Sequence, residues 1–80
     1  MFKNKGKDGK LNICGVQIMQ HRKELKLSQR ALADKLQLLG IDLAKNAIQQ
    51  IECGDRFVTD IELKAFAQLF GIAVDELVNG

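Results

Sequence analysis

Residues 44–57 read AKNAIQQIECGDRF, and whether this stretch is helix or strand settles the fold. Ala44, Ala47, Ile48 and Ile51 recur at intervals of three and four, the spacing that stacks side chains on one face of a helix. The opposite face carries Lys45, Asn46, Gln49 and Gln50. Gly54 then supplies the residue tolerant of positive φ with which helices commonly stop. A solvent face built only for solubility would mix Glu with Lys; this one offers three amides and a lysine. Asn and Gln present a donor and an acceptor together, which matches the N6 and N7 edge of adenine, and Lys reaches O6 and N7 of guanine. The pattern is that of a helix that reads bases.

The flanking sequence supplies further helices. From Ile13 the chain is amphipathic, with Val16, Ile18, Met19 and Leu25 spaced by polar residues until Lys26 to Ser28 breaks the rhythm. Ser28 stands before QRALADKLQLLG, where Leu32, Ala33, Leu36 and Leu39 form a buried stripe, so Ser28 reads as an N-cap and Gly40 as the stop. Asp42 is the candidate cap of the helix that follows. Downstream, Thr59 and Glu62 make a capping box ahead of Leu63, Phe66, Ala67 and Phe70, and Gly71 ends that helix. Ile72, Val74, Leu77 and Val78 suffice for a short last helix. No period-2 alternation occurs, and the expected fold is all-α with five helices.

Composition bounds the function. Eighty residues make one domain with a modest core, burying roughly 60 to 65% of the unfolded surface. With 46% apolar and 28% charged residues the chain is globular rather than disordered. No apolar run approaches a membrane span of about 18 residues, and the basic start lacks the apolar core of a signal peptide, so a cytoplasmic protein is expected. Residues 1–10 hold Lys3, Lys5, Lys7 and Lys10 and read as a flexible basic arm, leaving one domain over residues 11–80. Residues 1–58 hold eleven Lys or Arg against six Asp or Glu, a net +5, whereas residues 59–80 are net −3. The basic end points to a polyanionic partner.

Cys14 and Cys53 fit neither a disulfide framework nor a metal site and read as small buried or half-buried hydrophobes. The one serine and the one histidine, Ser28 and His21, read as a cap and a helix-surface residue. GKDGK lacks the helix and the spacing of a phosphate loop. Neither an enzyme nor a cofactor, metal or small-molecule ligand is expected.

GVQIMQHRKELKLSQRALADKL, followed by IQQIECG and LKAFAQLFGIAVDEL, resembles the helix-turn-helix domain of phage repressors and Cro proteins, over about Ile13 to Leu77. The resemblance implies a compact five-helix, lambda-repressor-like fold with helices 2 and 3 as the motif. It implies that Lys45, Asn46 and Gln50 face bases with Gln49 as neighbour, and that Gln29 holds a phosphate and braces the reading helix. It further implies that Ala33 lets the motif helices approach, that Gly54 and Arg56 lie along the phosphate backbone, and that Arg22 and Glu52 form a semi-buried ion pair. One departure is visible. Fifteen positions separate Ala33 from Ile48, more than the family pattern carries, so helix 2 gains nearly a turn and the connection GIDLA is lengthened.

The expected function is sequence-specific binding of double-stranded DNA by a transcriptional regulator, more plausibly a repressor, of a bacterium, phage or mobile element. A homodimer on a palindromic operator is expected, its natural dimer surface being the acidic C-terminal end with Val74, Leu77 and Val78. The rival reading is a protein-interaction module on the same fold, such as a coactivator-like bridge or an antitoxin component.

Overall fold

The computed structural model describes residues 11–78; the basic arm expected over residues 1–10 lies outside them. Five helices follow in order: α1 Gly15–Glu24, α2 Gln29–Leu38, α3 Lys45–Cys53, α4 Asp60–Phe70 and α5 Val74–Val78. No strand occurs among the described residues. α3 packs against both α1 and α2, and α4 and α5 close the other side. Phe66, Ile18, Leu32, Leu36, Ile48, Ile51 and Leu77 are fully buried and make the centre of the core. Each helix contributes at least one of them, so none of the five is stable as packed without the rest.

Local chemistry sets the helix ends. Ser28 Oγ accepts from the Ala31 N–H at 3.0 Å, satisfying a donor that the first turn would otherwise leave unpaired. Thr59 and Glu62 exchange the two bonds of a capping box, 3.2 Å from the Glu62 N–H to Thr59 Oγ1 and 3.1 Å from the Thr59 N–H to Glu62 Oε1. Glu62 also receives Arg56, with Nη1 at 3.1 Å and Nη2 at 3.3 Å from its two oxygens. Burial pushes the Glu62 carboxyl up, but the bonds from Arg56 and Thr59, with the charge of Arg56, bring it below the ordinary 4.5. A carboxyl held lower in the folded than in the unfolded state stabilises the fold above its ordinary value, and that stability is lost as pH falls through the folded value. We therefore expect wild type to lose stability more steeply than Glu62→Gln on acidification below 4.5, in urea titrations at stepped pH; parallel curves would show that the carboxylate is not coupled to folding.

Five sequence expectations are corrected. Leu39, expected in the buried stripe of α2, is 40% exposed. Val16 and Leu25 are 53% and 50% exposed and Met19 is half-buried; the buried side of α1 runs instead through Cys14, Gly15 and Ile18 to half-buried Arg22. This side is polar at one end because α1 lies against the end of α3, so apolar periodicity misplaces it. Asp42 caps nothing: α3 starts after Ala44, which is exposed and gives no side-chain cap bond. Cys53 is exposed, whereas Cys14 is buried and its thiol is pushed up by burial, against a smaller lowering by its backbone bond. Leu77 is 0% exposed and belongs to the core, so it is not available to a dimer surface.

The lengthened connection is Leu39–Ala44. Leu43 is buried and Ile41 packs on the core, while the Ile41 N–H reaches back to the Leu36 carbonyl at 3.0 Å. Two apolar anchors in six residues hold this segment against the domain. It carries α2 into α3 without loosening the pair.

Candidate nucleic-acid interface

α3 is held from three directions. Its inner face is Ile48 and Ile51, both 0% exposed, with Ala47 packed beside them. Its C-terminus ends at Gly54, whose φ of 83° is a left-handed conformation that a Cβ would strain. There the Gly54 N–H bonds the Ile51 carbonyl at 3.0 Å and the Asp55 N–H the Gln50 carbonyl at 2.8 Å, the paired bonds of a Schellman stop.

The third hold is polar. Arg22 of α1 donates through Nε and Nη2 to the two Glu52 oxygens, at 2.6 and 3.1 Å, and through Nη1 to the Leu27 carbonyl at 2.8 Å. Gln29, first residue of α2, gives Nε2 to Glu52 Oε1 at 3.0 Å. One buried carboxylate therefore gathers α1, α2 and α3. A buried carboxylate is tolerated when it is paired and hydrogen-bonded, as here.

Asn12 adds a clamp that the sequence reading missed. Its Oδ1 accepts from the Gly15 N–H at 2.7 Å and the Cys14 N–H at 3.2 Å, and its Nδ2 donates to the carbonyls of Ile51 at 3.0 Å and Arg56 at 2.8 Å. The Leu11 N–H bonds the Gly54 carbonyl at 2.8 Å. An Asn three residues ahead of a helix is a local signal for the first pair of bonds. Nothing local signals the second. The segment entering α1 is thus tied to the end of α3.

The outward face is different. Lys45, Asn46, Gln49 and Gln50 are all exposed, and among the described residues their side chains have no hydrogen bond or ion pair. Asn46, Gln49 and Gln50 line a shallow depression of about 400 Å³ with Cys53 and Asp55. Lys45 and Arg30 of α2 line a second cleft of about 290 Å³ together with Asp34 and Asp42. Arg30, overlooked in the sequence, follows Gln29 directly and adds a second cation to this side.

The expected phosphate-binding residues are placed unequally. Gln29 stands at the start of α2 with its amide nitrogen on Glu52. Arg56 is held by Glu62 and by the Phe57 carbonyl at 3.2 Å. Gly54 is buried with both its N–H and its carbonyl bonded inside the domain, so its role is to turn the chain and its backbone is not open to a phosphate.

Among the described residues no group of His, Cys, Asp and Glu could hold a metal ion, and no helix is long and apolar enough to cross a membrane. Residues 18–77 match the model of a helix-turn-helix family. No curated protein matches the chain.

Proposed function

The chain belongs to the helix-turn-helix family of DNA-binding transcription regulators, and we propose that it is a sequence-specific reader of double-stranded DNA that places α3 in the major groove. One observation carries this reading. The polar groups behind α3 are bonded within the domain, whereas the four in front, Lys45, Asn46, Gln49 and Gln50, are exposed and uncommitted. A rigid helix with an unspent row of donors and acceptors suits direct readout, since bidentate contacts need the side chain's origin fixed before the bases arrive.

Lys45, Asn46 and Gln50 take base edges in this reading, with Gln49 on a base or a phosphate. Gln29, Arg30 and Arg56 line up on the phosphates that fix register. The lysines of residues 1–10 add affinity that falls with salt, each neutralised phosphate steepening the slope of log K against log salt by roughly 0.9. The protein acts inside a bacterial cell, as a repressor encoded by the bacterium, a phage or a mobile element. It binds as a homodimer on a palindrome whose half-sites lie about one helical turn apart, roughly 34 Å.

Selection of duplexes from a random library at physiological salt tests this directly. Enrichment of a palindrome is the expected result. Asn46→Ala and Gln50→Ala should each lower discrimination at one or two positions by about 1 to 3 kcal/mol while leaving binding to unrelated DNA little changed. No enrichment by folded protein, or an unchanged preference in both variants, would overturn base reading by α3.

A further inference from the structure

The last turn of α2 leaves Leu38 86% exposed and Leu39 40% exposed, and Leu25 is 50% exposed in the turn after α1. With Leu27 and Leu69 they line a groove of about 540 Å³ whose polar lining is Lys35 and Gln68. Among the described residues Lys35 is the one charged side chain that lines it. An exposed apolar patch with a polar rim marks an interaction surface.

The same chain carries the complement. On α5 Leu77 turns inward, Val74 stays 36% exposed and Val78 half-buried, with Asp75 and Glu76 exposed beside them. Two copies meeting groove to groove would set Lys35 against Lys35, and two meeting by α5 would oppose carboxylates. Unlike surfaces fit.

We propose that α5 of one copy seats in the leucine groove of the next, with Asp75 and Glu76 facing Lys35, so that copies associate head to tail. Such a contact leaves a free groove at one end of a pair and a free α5 at the other, so it passes from copy to copy unless its rotation closes a ring. A five-residue helix buries far less than the roughly 800 Å² per partner of a stable complex. The association is weak in free solution and takes effect when DNA holds neighbours at high effective concentration. It leaves the outward face of α3 free, and it does not depend on base reading.

The test needs no DNA. Amide spectra of the full chain, diluted from roughly 1 mM, should shift together at Leu38–Leu39 and at Val74–Val78. Lys35→Glu alone and Glu76→Lys alone should each weaken this about fivefold or more, and an equimolar mixture of the two should restore it, since each then meets an oppositely charged surface. Both side chains are exposed without a partner in the chain, so the fold should survive. Leu38→Gln provides a second check, removing the shifts at α5 from a folded protein. Shifts at one surface only, a mixture that stays dispersed, or a wild-type spectrum unchanged on dilution would each overturn the proposal, the last leaving the groove to a different acidic protein.

Discussion

Arg22→Ala is expected to lower the stability of the domain by about 3 to 5 kcal/mol, while Lys23→Ala, one position along the same helix, should stay within about 0.5 kcal/mol. The difference comes from what each side chain leaves behind. Lys23 is exposed and has no partner in the chain. Arg22 and Glu52 have side chains only 12% and 3% exposed, so removing the guanidinium leaves the carboxylate in the interior with, among the described residues, the Gln29 amide as its one remaining donor. The Leu27 carbonyl loses its bond from Arg22 as well. Urea midpoints at constant m-value measure the effect, and equal midpoints for the two variants would sink it. Because a buried pair often contributes little net stability against an apolar replacement, Arg22→Met combined with Glu52→Leu should be much less destabilised than Arg22→Ala. That outcome would identify the pair as a device of orientation, fixing the end of α3 to α1 and α2.

The parts of this molecule legible in sequence are those decided within a turn or two of chain. Ser28, Thr59 with Glu62, and the stops at Gly40, Gly54 and Gly71 act on neighbours, and the five helices stand between them. Ile48, Ile51 and Phe66 declare themselves as core by spacing alone. Contacts across the chain behave otherwise. Asn12 reaches Ile51 and Arg56, 39 and 44 residues away, and no periodicity in either segment foretells that meeting. The same reason hides the polar end of the buried side of α1. By periodicity Arg22 looks like a surface cation; the family resemblance alone pairs it with Glu52, 30 residues on, and the structure shows that pair. Leu77 and Leu38 invert the usual inference: the leucine of the short acidic helix is buried, and the one in the apolar stripe's neighbourhood is 86% exposed. Hydropathy says that a leucine seeks cover, not which neighbour provides it.

Gly15 is the second position where one atom should matter. A Cβ built there would run into the backbone carbonyl oxygen of Ile51, and would also sit 3.1 Å from both the Glu52 carbonyl oxygen and Asn12 Oδ1. The oxygens of Ile51 and Glu52 are backbone of α3, so the new methyl cannot be absorbed by a side-chain rotation. The helices must part. Alanine's better helix propensity, worth about 1 kcal/mol in a helix interior, counts for less at the first residue of α1. We expect Gly15→Ala to destabilise by about 3 kcal/mol. Gly40→Ala is the control, because a Cβ there meets open space and only its positive φ of 83° opposes it, at about 1 to 2 kcal/mol. Gly15→Ala should also weaken binding to the selected DNA under conditions where both variants are folded, since the Ile51 carbonyl it displaces accepts from Asn12 and from the Gly54 N–H that stops α3. If Gly15→Ala melts at or above wild type, or if Gly40→Ala proves the more damaging, then the close approach of α1 to the end of α3 is not what holds the reading helix in place.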